Sequence, residues 1–262
     1  MTKVFELVAL FLGAGLFLAM IAVIEVGRRL GAARLAKNPE GLAKGIGAPE
    51  GAVFGLLGLI IAFTFSGAAS RFEARRHLIT EEANAVSTAF LRIDLVPEEA
   101  QPELRGLFRR YLGSRLTTYA NVEDPSATEA SIAGAAKLQE MIWAKAMAAT
   151  HRPDVTGRPE VLIVPALNAM FDISNTRMAA TLNHPPMAIF LLLGGLSLVG
   201  SLLVGYGISG NKHRTWLHAF VFAAIMSLAI YVIIDLEFPR LGFIRVDAAD
   251  QLMIDLRKSM DL

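Results

Sequence analysis

Four long apolar segments, residues 5–26, 52–69, 187–208 and 217–234, constrain this chain more than any other feature. Each approaches or exceeds the roughly 18–20 apolar residues needed to cross about 30 Å of hydrocarbon. The first is about twice the length of a signal peptide's apolar region. It runs into Gly27–Arg28–Arg29 rather than a small-residue cleavage site, so it reads as a retained helix. Lipid is therefore part of this chain's solvent.

Composition fits one membrane domain with one water-facing lobe, since 54% of the 262 residues are hydrophobic. With no cysteine in the chain, disulfides, thiolate nucleophiles and cysteine-ligated metal or iron–sulfur sites are excluded. A net charge of +1 gives no sign of a nucleic-acid partner.

Residues 30–50 read as a connector between the first two spans, with a turn at Asn38–Pro39–Glu40–Gly41. Gly210–Thr215 joins the last two spans, so two helical hairpins result. Between the hairpins the pattern is helical throughout, as in Ala85, Ala89 and Leu91, then Leu104, Leu107, Phe108, Tyr111 and Leu112. Breaks fall at Pro97, at Asp124–Pro125–Ser126 with a capping box from Ser126 to Glu129, and across Arg152–Pro159. About four soluble helices are expected, some continuous with membrane helices two and three. The predicted architecture is all-α and integral to the membrane. It has a first transmembrane hairpin (1–70), a helical soluble lobe (71–185), a second hairpin (186–236) and a C-terminal tail (237–262).

Charge gives two answers on orientation. Arg28, Arg29, Arg34, Lys37, Lys44, Lys212 and Arg214 place the short loops in the cytoplasm, while Arg71, Arg75, Arg76, Arg240 and Arg245 place the lobe there. The rule works best on short loops and leans towards an external lobe.

Along the second span, two unlike faces appear. Gly51, Gly55, Gly58, Ala62 and Ala69 form a small-residue face on which a neighbouring helix can approach closely. Ala52, Leu56, Leu59, Phe63, Ser66 and Ser70 form the other face, apolar in mid-membrane and hydroxylic near the interface. Arranged around an axis in several copies, Leu56, Leu59 and Phe63 stack into apolar rings that gate by dewetting, with serines wetting the mouth. The same stripe also suits simple packing against lipid or another helix, which is the commoner fate of such residues.

The run from Phe63 to Arg76 (Phe-Thr-Phe-Ser-Gly-Ala-Ala-Ser-Arg-Phe-Glu-Ala-Arg-Arg), continuing to Glu82 and Asn84, resembles the end of the second membrane helix of bacterial bestrophins. Asp235-Leu-Glu237-Phe-Pro239-Arg-Leu-Gly242, followed by Asp247, is similar to the bestrophin Glu-Asp-Pro-Phe-Gly stretch and its acidic sequel. The whole chain looks like a bestrophin-like family of bacterial membrane proteins sharing the Gly55–Ser66 core. The resemblance implies a pentamer of four-span subunits in the cell's inner membrane, with helix two lining an axial pore. It further implies a cytosolic helical lobe, against the loop-charge preference, and passive conduction of inorganic ions. Counted from Arg71, the hydrophobic neck falls near Gly55 or Leu56, Leu59 and Phe63. Three features depart from the pattern: Phe72 stands alone where bestrophins have an aromatic pair, Pro239-Arg240-Leu241-Gly242 replaces Pro-Phe-Gly, and Asp247 is what remains of the acidic cluster.

Arg71, Glu73, Arg75 and Arg76 suit either an interfacial anchor or a charged vestibule, with Glu73 placed to pair with Arg76 or His77. Glu25 could face a polar cavity. Asp235 and Glu237 end helix four, and with Asp247 they are weak metal candidates; pairing with Arg240 or Arg245 is the simpler expectation. His77, His151, His184, His213 and His218 form no i, i+4 pair, so no zinc hydrolase motif exists. Gly45, Gly47 and Gly51 make no nucleotide loop, because no strand precedes them and no Gly-Lys-Ser/Thr follows. His184–Pro185–Pro186 makes a stiff entry to helix three, and Gly194, Gly195, Gly200 and Gly205 thin that helix for packing. Neither an enzyme nor a cofactor is expected. The expected function is ion conduction; the alternative is a non-conducting membrane scaffold or sensor whose soluble helices bind a partner protein.

Overall fold

The computed structural model describes residues 2–37, 47–120, 124–210 and 216–261, and among these there is no β-strand. The helices are α1 (Thr2–Lys37), α2 (Gly47–Leu91), α3 (Gln101–Ala120), α4 (Pro125–Thr150), α5 (Glu160–Leu182), α6 (Met187–Gly207), α7 (Trp216–Glu237) and α8 (Asp247–Ser259), with short 3-10 turns at Arg92–Leu95, Glu98–Ala100 and Ile208–Gly210. Four helical stretches are long and apolar enough to cross a membrane, lying within Leu10–Lys37, Gly47–Leu95, Glu160–Gly210 and Trp216–Glu237.

Two boundaries differ from the sequence pattern. The first connector is shorter than residues 30–50, because Ala32, Ala33, Leu35, Ala36 and Lys37 are strong helix formers that carry α1 onward. Pro49 sits in the first turn of α2, where its missing N–H has no intrahelical partner to lose. Helix α2 then continues unbroken for 45 residues. Helix α5, by contrast, ends at Leu182 and does not flow into α6, since Pro185 and Pro186 restrict the preceding backbone. The turn at Asn38–Gly41, Lys44, Lys212, His213 and Arg214 lie outside the described residues.

The chain divides into two compact units. One comprises Met1–Phe72 with His184–Ile244 and holds the apolar helices. Here α1 packs along α6 and α7. Backbones approach so closely that a Cβ on Gly205 would stand 1.9 Å from the Ile24 carbonyl oxygen, and one on Gly27 would stand 2.1 Å from that of Leu202. Of the glycines expected to thin the third membrane helix, Gly200 meets Phe54 and Gly205 meets α1, but Gly194 and Gly195 face open space. Met20, Ile24, Ala219 and Ala223 make one apolar cluster. Ala68 of α2 joins Leu193, Ile230, Ile233 and Leu236 in another. Buried Ser197 and Ser201 donate back to the Leu193 and Ser197 carbonyls, 2.7 Å each, which satisfies their hydroxyls without leaving the helix.

The other unit comprises Glu73–Asn183 and Arg245–Leu262. Leu104, Leu107, Phe108, Tyr111 and Leu112, the sequence-predicted stripe, are buried with Ile142, Leu167 and Met170. Leu91 departs from that pattern and is exposed at the end of α2. Helix α4 is capped by Asp124, whose side chain accepts from the N–H groups of Ser126 and Ala127. This corrects the expected Ser126 cap: Pro125 already occupies the first helical position, so the cap lies one residue before it.

Candidate functional site

In α2 the sequence-derived faces can be placed on real geometry. Leu57 and Ala68 point inward and are 1% and 0% exposed. Leu56, Leu59 and Phe63 stand out at 48%, 52% and 69% exposed, and Ser66 and Ser70 continue the same open face. The small-residue face is equally open within the subunit, since a Cβ on Gly51, Gly55 or Gly58 would meet nothing within 4 Å. Close packing of helices inside the chain uses Gly27, Gly31 and Gly205 instead. The sequence set apart two faces of α2 that are both largely open within the subunit, while the packed side with Leu57 and Ala68 was neither of them, because which residues have a partner depends on helices far away in the chain.

Where α2 leaves the apolar core, three arginines take three different partners. Arg71 donates Nε to Glu237 Oε1 at 2.9 Å, and its Nη2 also bonds that oxygen. Glu237 is fully buried at the end of α7, and the His184 ring lies 3.6 Å from its other oxygen while stacking on Phe238. Arg75, itself buried, donates to the carbonyls of Ala180 (3.1 Å) and Asn183 (2.9 Å), satisfying the otherwise orphaned end of α5. Arg76 bonds Glu73 at 2.8 Å one turn away on the exposed surface. His77 meets Glu81 at 3.1 Å rather than Glu73.

The acidic residues weighed as metal ligands are engaged by protein. Asp235 accepts from the backbone N–H groups of Phe243 (2.9 Å) and Ile244 (2.7 Å) and so closes the turn after α7. Gly242 permits this, since a Cβ there would lie 1.9 Å from the Asp235 carboxylate. Arg245, one of the arginines expected to answer Asp235 or Glu237, bonds Asp247 at 2.6 Å. Among the described residues no three His, Asp or Glu side chains are grouped to hold a metal ion. Glu25, weighed above as facing a cavity, is held by Arg28 and Arg29 on its own helix at 2.7 and 2.8 Å.

Further along α2, Glu82 is fully buried and receives Arg115 Nε at 2.6 Å and Arg177 Nη1 at 2.7 Å. Arg177 reaches on to Asp250 of α8 at 2.9 Å and lies over the Tyr119 ring at 3.7 Å. Burial works against the Arg115 guanidinium, but the adjoining Glu82 charge and the Tyr119 ring overcome it and hold its pKa above the ordinary arginine value. Two carboxylates and two guanidinium groups thus balance inside the unit, tying α2, α3, α5 and α8 together.

Four apolar spans, a long second helix running on into helical structure, and an ionic brace from Arg71 of α2 to Glu237 at the end of α7 belong to a membrane protein of bestrophin fold. The Bestrophin-like domain model matches residues 14–250, and the chain belongs to that family. Among solved structures, it is similar to a bacterial bestrophin homologue from Klebsiella pneumoniae carrying a tryptophan-to-alanine mutation. The two share 14% sequence identity with a TM-score of 0.69, over 94% of this chain and 97% of that one. Comparison with curated proteins gave no match.

Proposed function

We propose that the protein is a passive ion channel of the inner membrane, built from several copies, five by resemblance, around an axial pore lined by α2. The observation that carries this reading is the Leu56, Leu59 and Phe63 stripe, which stays solvent- or lipid-facing in the subunit while the opposite face of α2 is packed. Bulky apolar side chains brought together around an axis form a constriction that empties of water and closes to ions. Ser66 and Ser70 offer hydroxyls to hydrated ions at its end.

Arg71 and Arg75 act as braces of the pore helix, because their guanidinium groups are turned to Glu237 and to the end of α5. Glu73 and Arg76 remain as exposed vestibule charges. Asp235, Glu237 and Asp247 serve as structural acceptors in this reading, and no residue carries covalent chemistry. Lipid and further copies of the chain are its partners; nucleic acid is not.

The test is ion flux from purified protein in liposomes under imposed sodium or chloride gradients, with Phe63→Ala beside the parent. A larger flux in the variant supports the gate, and unchanged flux from an intact conducting assembly counts against it. Silence from both intact assemblies favours the non-conducting scaffold instead.

A further inference from the structure

Helix α1 is longer than the membrane it crosses. Its 36 residues extend about 54 Å at about 1.5 Å per residue, against about 30 Å of hydrocarbon. The apolar segment ends at Val26, and the helix continues to Lys37. A second helix marks the level at which it leaves the hydrocarbon. Tyr206, near the end of α6, lies against it: a Cβ on Gly27 would stand 3.0 Å from the Tyr206 nitrogen, and one on Gly31 would stand 2.8 Å from its carbonyl oxygen. An aromatic residue level with the first basic pair, Arg28 and Arg29, is what membrane helices carry where headgroups begin.

From that level onward α1 has two unlike sides. Gly27 and Gly31 are buried, whereas Val26, Leu30, Ala33 and Lys37 recur at steps of four, three and four and form an exposed stripe, with Val26 at 50% and Leu30 at 54%. Arg29 and Arg34, both exposed, flank the stripe on either side. After Glu25 the helix carries four basic residues and no acid. Glu25 answers two of them at once, its Oε1 accepting from Arg28 Nη2 at 2.7 Å and from Arg29 Nε at 2.8 Å. One carboxylate between two guanidinium groups leaves that cluster positive. Arg29 is held at its Nε while its side chain stays 74% exposed, and the outer nitrogens of a guanidinium match two oxygens of a phosphate.

We infer that this end of α1 is a docking surface for anionic phospholipid, whose acyl chains lie along Val26 and Leu30 and whose headgroup is taken by Arg29, Arg34 and Lys37. An apolar stripe with basic flanks fits a molecule that is apolar at one end and anionic at the other. A soluble anion would use the charges and leave Leu30 bare, and a second copy of this chain would have to bring acids to meet them. Several basic residues gathered at the bilayer surface draw anionic headgroups in preference to zwitterionic ones. The surface lies within one unit of the chain and owes nothing to conduction. It gives Arg29, Arg34 and Lys37, which weigh on the loop-charge rule, a partner whichever side of the membrane they face.

The full chain is reconstituted in nanodiscs of phosphatidylglycerol and phosphatidylcholine in equal parts and extracted into detergent, and the lipid it retains is counted by mass spectrometry. The parent retains phosphatidylglycerol in clear excess. Each of Arg29→Gln, Arg34→Gln and Lys37→Gln lowers the ratio by up to about fivefold, and the triple variant brings it towards equality. Arg34→Lys keeps the charge and keeps the ratio. Equal retention of the two lipids by the parent, or a ratio unmoved in the triple variant, overturns the inference. A triple variant that falls to monomers from an assembled parent, with single variants that leave the ratio unchanged, assigns the face to a second copy and overturns it too. If the variants do not fold, the parent alone decides. An excess of phosphatidylglycerol that declines as sodium chloride rises from about 0.05 to about 0.5 M supports headgroup charge as the cause, and an excess indifferent to salt overturns it.

Discussion

Arg71 on the second helix and Glu237 at the end of the seventh are 166 residues apart in sequence and joined by paired hydrogen bonds from one guanidinium to one fully buried carboxylate. Removing the arginine leaves that carboxylate without its strongest counter-charge. Arg71→Ala is expected to lower stability by about 3 kcal/mol, while Arg71→Ala with Glu237→Gln recovers a large part of the loss. Thermal unfolding of the detergent-solubilised protein decides this, and a double variant no better than the single one would show that the pair is not coupled.

Glu82 poses the sharper case because both of its partners are also buried. Glu82→Gln leaves Arg115 and Arg177 facing each other across a neutral amide, and the expected destabilisation is about 3–5 kcal/mol. Asp250, a partly exposed arm of the same network, should matter less, about 2 kcal/mol for Asp250→Asn. Denaturant unfolding of the three proteins ranks them; equal losses would argue against a hierarchy set by burial.

At the α1–α6 crossing the two backbones leave no room for a methyl group. Gly205→Ala places its Cβ on the Ile24 carbonyl and should destabilise by about 1–3 kcal/mol, whereas Gly194→Ala points into open space and should be neutral or slightly stabilising. The yield of monodisperse protein and its melting temperature report the difference. Similar behaviour of the two variants would contradict the close crossing.

Asp124 gives a pH signature. Its hydrogen bond from the Ser126 hydroxyl, then those from the Ala127 and Ser126 N–H groups, hold its carboxyl below the usual range. A folded pKa below the unfolded one means that the cap stabilises fully above the unfolded value and loses its effect as pH falls through the folded one. Asp124→Ala should therefore melt earlier than the parent at neutral pH, with the gap closing in acid, while Asp124→Asn keeps an acceptor that does not titrate. A gap independent of pH would show that the charged form is not what caps α4.

The parts of this fold that were legible in the sequence depend on neighbours within one helix. The apolar lengths announced the spans, and period 3.6 placed Leu56, Leu59 and Phe63 on one face, because side chains three and four apart share a face whatever surrounds them. The buried stripe from Leu104 to Leu112 followed for the same reason. What escaped needs two distant segments at once. Glu237 does not announce Arg71, and Glu82 reads as one more acid on a charged helix until Arg115 and Arg177 arrive from α3 and α5. Gly27 and Gly31 look no different from Gly51 and Gly55, yet only the first pair meets another backbone. The cap of α4 was missed for a local reason: the Ser126–Glu129 spacing imitates a capping box, and Pro125 had to be given more weight.

The quartet of Glu82, Arg115, Arg177 and Asp250 also restricts the paths open to descent with modification. Glu82, Arg115 and Arg177 balance one another away from water and Asp250 joins them at its edge, so losing a carboxylate at 82 or 250 while keeping both guanidinium groups leaves a buried charge unbalanced. Positions up to 168 residues apart, which a one-letter string presents as strangers, are thereby tied energetically, and a change at one is felt at the others.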